Sequence, residues 1–126
     1  MAFHPADTVT QLINAVNQGN LEAVVACYEA EAVLIVQPGQ TATGIKAIRE
    51  AFAGYIAMQT IITAQMHKVT QAGNLALFIS KWSATGTAAD GSAVQMEGTS
   101  SDILRRQTDG RWLIVIDNPF GAAILA

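Results

Sequence analysis

The chain has 126 residues, of which 51% are apolar, 13% charged and 6% aromatic, and this length suits one domain over residues 1–126. The net charge of −3 argues against a nucleic-acid partner, because a basic surface supplies most of that affinity. A transmembrane helix needs about 20 mostly apolar residues, a run that the sequence lacks, so we expect no membrane partner. Cys27 is the one cysteine, and the start MAFHPADTV lacks the pattern of a signal peptide. We therefore expect a cytoplasmic protein without disulfides.

The first half of the sequence predicts three helices and one strand. Apolar side chains recur at helical spacing over 7–19, which begins at an aspartate and ends at a glycine. A second helix is predicted over 20–28, where an asparagine is the capping residue. The β-branched run 32–37 predicts a strand that a Pro-Gly pair ends. A third helix follows over 43–56, with its apolar residues along one stripe.

The second half predicts four strands, over 61–70, 75–87, 93–106 and 111–118. Two of the junctions between them carry Asp-Gly and the third carries Gly-Asn, and such pairs favour tight hairpin turns. Helices followed by an antiparallel meander define the α+β class.

Three of the strand candidates, AVLIV, LALFI and WLIVI, are apolar without alternation. A strand with one face in water alternates polar and apolar residues, so a continuous apolar run predicts a sheet that is covered on both faces. Three short helices cover only one face. A large core is one explanation of the apolar composition, but the strands favour a homodimer formed through the outer face of the sheet.

Four segments together, NQGNLEAVVACYEAEAVL, PGQTATGIKAIREAF, SDILRRQTDGRW and DNPFG, resemble the ketosteroid-isomerase-like proteins. These belong to the nuclear-transport-factor-like, cystatin-like superfamily, which includes small polyketide-cyclase-like proteins. The resemblance extends over about residues 7–121. It implies a curved antiparallel sheet wrapped around the N-terminal helices, a cone with an apolar pocket, and a dimer.

The resemblance also shows which positions of this sequence correspond to the active-site residues of the steroid isomerases. The position of the isomerase base falls on Gln37 or Val36, depending on the match, and neither side chain can remove a proton. The two isomerase tyrosines correspond to Leu12 and Phe52. Steroid isomerisation is therefore not expected. Asp102 does fall on the isomerase aspartic acid that helps to stabilise an oxyanion.

Asp102 is therefore the candidate catalytic residue. In an apolar pocket its pKa would rise, and it would donate a hydrogen bond or act as an acid or base. Alternatively, it is a carboxylate at a strand end, bonded to neighbouring serines or to the backbone. Glu97 shares its face only if Gly98 forms a bulge, and is otherwise exposed.

Strict alternation along the last strand places Asn118 on the face of Trp112 and Asp117 on the opposite face. The resemblance places Asn118 and Phe120 near the pocket mouth. Asn118 either orients a polar ligand atom or simply ends the strand.

Three further ligand-binding candidates are Trp82, Tyr55 and Gln37. Trp82 is either a pocket wall or a core residue, and Tyr55 either supplies a hydroxyl or lies at the rim. His67 is expected on the solvent side, and His4 lies far from it near the N-terminus. Two distant histidines without clustered acids predict no metal site, and we expect no cofactor.

The predicted function is binding of a small, mainly apolar organic molecule in the cone, with acid–base chemistry of the isomerase, cyclase or dehydratase type at Asp102. The alternative is a non-catalytic dimerisation or ligand-sensing module. Pocket volume separates the two, because a cone filled by side chains would favour the module.

Overall fold

Three α-helices and six strands form the structure, a computed structural model in which residues 2–126 are described. The elements are α1 Pro5–Gln18, α2 Leu21–Val25, β1 Tyr28–Gln37, β2 Gln40–Thr43, α3 Gly44–Ala57, β3 Ile61–Ala72, β4 Leu75–Thr87, β5 Ala93–Arg106, β6 Trp112–Asp117 and a 3-10 helix, Gly121–Leu125. The α+β class predicted from the sequence is confirmed.

The predicted helix over 20–28 is wrong at its C-terminal end. Asn20 caps α2 as expected, since its side chain accepts a hydrogen bond of 3.1 Å from the Ala23 N–H. The helix ends at Val25, however, and Tyr28 begins β1. Tyr28 pairs with Ile114 of β6, so sheet pairing overrides a local helical pattern.

Two further differences concern the sheet. The segment after Pro38 forms β2, a short strand that pairs with β1 and that the sequence did not predict. The strand order is β2-β1-β6-β5-β4-β3. The predicted meander of β3 to β6 is confirmed, with glycines at positive φ in all three turns. The predicted antiparallel sheet is confirmed for four of the five strand pairs, and the exception is β1 with β6, which run parallel.

The helices pack on the inner face of the curved sheet. The largest fully buried side chains come from both layers: Trp112, Leu34, Ile48, Leu104, Ile114, Val16 and Val24. A buried hydrogen bond of 2.7 Å from the Thr8 hydroxyl to the Trp112 carbonyl connects α1 to β6. One layer of helices thus builds the core on the inner face of the sheet.

The outer face of the sheet carries a row of apolar side chains. The strand register aligns Val33, Ile116, Ile103 and Leu77 across four neighbouring strands. Ile116 is 40% exposed and Leu77 is 37% exposed, while the other two are half-buried. The helices therefore leave an apolar strip on the opposite side of the sheet.

A tight turn after β6 returns the chain to β5. The Asn118 amide donates a hydrogen bond of 3.1 Å to the Gly121 carbonyl, and its oxygen accepts bonds from the N–H groups of Phe120 and Gly121. Gly121 has a φ of +55°, and a Cβ added there would lie 2.5 Å from the Thr99 carbonyl oxygen. Only glycine fits this position without displacing the turn.

Gly121→Ala is therefore expected to lower the free energy of unfolding by about 1–3 kcal/mol, because the turn must open to admit a methyl group. Gly54→Ala is the control, since an added Cβ in this helical position meets nothing within 4 Å. It should raise the same quantity by roughly 0.5–1 kcal/mol through helix propensity. Urea unfolding measures both, and equal effects would contradict the close contact at Gly121.

Candidate functional site

The cone encloses a cavity of about 190 Å³ between the helices and the sheet. Its walls are mainly apolar and include Leu12, Val36, Phe52, Ile62, Met96 and Ile114. Polar side chains enter from β4, β5 and β6: Ser80, Ser100, Asp102 and Asp117. An apolar cavity of about 150 Å³ is enough to hold benzene, so this cone has room for a small organic ligand.

A bulge in β6 brings Asp117 into the cavity. Ile103 pairs with Ile116 and Leu104 pairs with Ile114, so β6 has one extra residue, Val115, between the two pairs. The extra residue breaks the inward–outward alternation. Asp117 and Ile114 consequently both line the cavity, and the sequence-based placement of Asp117 on the outer face is wrong.

Asp102 and Asp117 are two buried carboxyl groups that line the same cavity, and each affects the pKa of the other. They are only 5% and 7% exposed. The Tyr28 hydroxyl donates a hydrogen bond of 2.5 Å to Asp117 Oδ2, and the Asn118 N–H donates one of 2.9 Å to Asp102 Oδ1. The Tyr28 side chain at the start of β1 therefore fixes Asp117, and the backbone directly after β6 fixes Asp102.

The surroundings of this pair favour one bound proton. Burial raises the pKa of Asp102 well above its usual range, and the nearby Asp117 charge raises it further. Burial also raises the pKa of Asp117, while the hydrogen bond from Tyr28 and the neighbouring Asp102 lower it. Two adjacent carboxylates cannot both ionise readily in an apolar site. Burial and the nearby Asp117 charge thus favour a proton on Asp102.

Tyr28 is a fixed, neutral donor in this network. Its ring is fully buried behind Asp117 and packs against Phe52, with ring centroids 5.9 Å apart. Burial, followed by the Asp117 charge, raises the pKa of Tyr28 well above its usual value. The hydroxyl therefore keeps its proton and positions the Asp117 carboxylate.

Two serines extend the polar region of the cavity. The hydroxyl oxygens of Ser80 and Ser100 are 2.7 Å apart, and both residues line the cavity together with Asp102. The sequence offered two alternatives for Asp102, a pocket position or a strand-end carboxylate bonded to serine and backbone. Asp102 lines the cavity and accepts the bond from the Asn118 backbone, but it lies inside β5, where it pairs with Phe78, and not at a strand end.

The other candidates divide into two groups. Trp82, Tyr55 and Phe120 line the cavity, and the Trp82 indole donates a hydrogen bond of 2.8 Å to the Pro119 carbonyl. Gln37 is exposed next to the turn between β1 and β2, bonds Gln40 and does not line the cavity. Asn118 is buried, but its side chain is used within the 118–121 turn and lies outside the cavity lining.

Sequence reasoning missed Asp117, Tyr28 and Ser80. An aspartate directly after the apolar run WLIVI was a signal of a buried carboxyl, but strict alternation removed it from consideration. Glu97 is exposed, as alternation predicted, and His67 is exposed and stacks on Phe78.

Residues 2–126 contain no group of three or more His, Cys, Asp or Glu side chains placed to hold a metal ion. None of the helices in that range is long and apolar enough to cross a bilayer.

A curved, unclosed six-stranded sheet around helices is the fold of the nuclear transport factor 2-like class of α+β proteins. Within that class the chain belongs to the SnoaL-like domain family, whose model matches residues 9–115.

Solved structures show the same fold. A nuclear transport factor 2-like protein from Salmonella enterica superposes with a TM-score of 0.79 at 15% identity, covering 89% of this chain and 84% of the other. A ketosteroid isomerase-like protein from Erwinia carotovora atroseptica gives a TM-score of 0.78 at 21% identity, over 89% and 88%. A Catenulispora acidiphila protein in complex with S-DNPA gives 0.74 at 19% identity, over 89% and 86%. No curated protein matches the sequence.

Asp102→Asn is expected to leave the free energy of unfolding at pH 7 unchanged or higher. Asp102 has a raised pKa in the folded state, so the folded protein binds more protons than the unfolded chain above about pH 4. Wild-type stability therefore falls as pH rises from about 4 through the folded-state pKa. The amide keeps an acceptor for the Asn118 N–H and a donor for Asp117, and does not titrate.

Urea unfolding at several pH values between 4.5 and 8 tests this expectation. The stability of Asp102→Asn relative to wild type should increase with pH. Glu97→Gln, an exposed substitution in the same strand, is the control and should show no such trend. A large loss of stability in Asp102→Asn at every pH would instead make Asp102 a residue that the fold requires.

Proposed function

We propose that the protein binds a small, mainly apolar organic molecule bearing a carbonyl group, and that Asp102 and Asp117 exchange protons with it. The observation that carries this proposal is the pair of carboxyl groups, which are both buried and both line one apolar cavity, where burial raises the pKa of each. Such a pair offers an acid and a base together, at one site and at neutral pH.

The proposed step is enolisation of the bound ketone. Asp117, as the carboxylate, accepts a proton from the carbon next to the carbonyl, and the C–H electron pair forms the C=C bond. The π electrons of the carbonyl move to its oxygen, which takes the proton of Asp102. The enol forms without an outside oxidant or reductant, and the reverse step regenerates a ketone. Isomerisation and dehydration both use a proton transfer of this kind.

The family and one structural neighbour support a small-molecule ligand. The chain belongs to the SnoaL-like domain family, and the Catenulispora acidiphila neighbour was solved in complex with S-DNPA. Steroid isomerisation is not part of the proposal. Leu12 and Phe52 bring no polar group to the cavity, and Gln37 lies outside its lining.

The cytoplasm remains the proposed compartment. Burial raises the pKa of the Cys27 thiol to about 11. The thiol is therefore protonated and unreactive at neutral pH.

Proton exchange in D₂O tests the chemistry without knowledge of the natural substrate. The wild-type protein should speed the incorporation of deuterium next to the carbonyl of 2-hexanone, followed by NMR. Asp102→Asn and Asp117→Asn should each lower this rate by about 10²–10⁴-fold, the usual contribution of a positioned acid or base. Glu97→Gln should exchange at the wild-type rate.

The outcomes separate the two functions considered for the chain. Binding of 2-hexanone without accelerated exchange would favour the ligand-sensing module. Equal exchange in wild type and Asp102→Asn would show that this carboxyl pair does not carry the chemistry.

We also propose that the protein is a homodimer joined through the outer face of the sheet. The row of Val33, Ile116, Ile103 and Leu77 supports this, because a contiguous apolar row on the outer face of a sheet is typical of an interface. A second copy of the same row would cover it by two-fold symmetry.

Light scattering at micromolar concentration should give the mass of a dimer, with about 1,200 Å² or more buried in total. Ile116→Lys places a charge in the middle of the row and should shift the mass to that of a monomer. Thr85→Lys, an exposed substitution at the far end of β4, should remain dimeric. A monomeric wild-type protein would contradict the proposal.

A further inference from the structure

A second cavity of about 110 Å³ lies beside the first, between the end of α3 and the paired ends of β4 and β5. Four residues line this cavity and not the first: Met58, Thr85, Gly86 and Val94. The two cavities share four lining residues, Tyr55, Thr60, Ala84 and Met96. They are therefore adjacent spaces with a common wall.

The common wall includes one small and one flexible side chain. Ala84 has the smallest side chain at this boundary, and Met96 is a flexible one that is 43% exposed. Methionine adapts its shape to different apolar groups. A slender chain can therefore pass between the cavities more easily than a rigid ring system.

The lining of the second cavity suits a hydrocarbon group. Its lining contains no charged residue. Gly86 allows the end of α3 to approach β4 closely, since an added Cβ would lie 3.1 Å from the Met58 carbonyl oxygen and 3.3 Å from Thr60 Oγ1. The combined volume of the two cavities lies at the lower end of the roughly 300–1,000 Å³ typical of ligand sites.

We infer that this second cavity, defined by Met58, Gly86 and Val94, binds an unbranched alkyl tail of the ligand whose carbonyl lies at Asp102 and Asp117. The inference rests on the proposed function and narrows its substrate class to alkyl ketones or acyl compounds of medium chain length. The carboxyl pair acts on the polar head, and the Met58–Gly86–Val94 cavity selects the length of the tail.

The test measures the dissociation constants of 2-hexanone, 2-octanone and 2-decanone by calorimetry. For wild type, each added methylene should tighten binding by roughly three- to fourfold, the usual effect of burying a CH₂ group. Val94→Phe and Met58→Phe each place an aromatic ring in the second cavity. In each variant, the tightening of binding per methylene should stop at a shorter ketone than in the wild-type protein. Their affinity for 2-hexanone should stay within about twofold of wild type, since its short chain remains in the main cavity, as expected for independent subsites.

Two variants serve as controls. Gln95→Phe adds the same aromatic ring to the neighbouring, exposed position of β5, where it lines neither cavity, and it should keep the full gain with chain length. Asp102→Asn should weaken all three ketones by the same factor and leave the gain per methylene unchanged.

The outcomes distinguish the two proposals. An unchanged chain-length gain in both Val94→Phe and Met58→Phe would show that the tail lies elsewhere, and would overturn the second cavity as its subsite. Binding of all ketones without any effect of Asp102→Asn would overturn only the position of the carbonyl. Failure of every ketone to bind the wild-type protein would overturn both proposals.

Discussion

Two carboxyl groups buried side by side in an apolar cone impose the main constraint on this structure. Each would cost several kcal/mol if it were charged and unpaired in such a place. The Asp102–Asp117 pair meets this cost with one bound proton, the Tyr28 hydroxyl and the Asn118 N–H. This arrangement of the two carboxyl groups needs Tyr28 at the start of β1 and a close approach of β5 to β6.

The sixth strand connects the site with the rest of the molecule. It pairs parallel to β1 and antiparallel to β5, and its extra residue, Val115, forms a bulge in the pairing with β5. The same bulge directs Asp117 inward and leaves Ile116 on the outer face, 40% exposed. One extra residue therefore contributes to the carboxyl pair and to the apolar row proposed as a dimer interface.

The fold alone does not give a function, because one scaffold of this type supports different chemistries. What distinguishes this chain is the content of its cone. Leu12 and Phe52 make two walls apolar, while Asp102 and Asp117 place the acid–base groups at the junction of β5 and β6. A second cavity next to Ala84 and Met96 adds apolar space away from these carboxyl groups.

Local patterns in the sequence were sufficient for much of the fold. Helical spacing before Gly19, the capping residue Asn20 and the Asp-Gly turns depend on neighbouring residues only, and the structure agrees with them. Asp102 was also predicted as a pocket residue, through resemblance and through its place in an apolar strand.

Tertiary structure decided the features that depend on distant strands. Tyr28 joins β1 instead of α2 because it pairs with Ile114, which lies 86 positions later in the chain. Asp117 faces inward because β6 gains a residue relative to β5. A bulge depends on how two strands align, and the alternation within one strand does not contain that information. The sequence by itself thus determined most of the elements and one carboxyl of the site, while the pairing of strands supplied β2, the second carboxyl and the tyrosine that holds it.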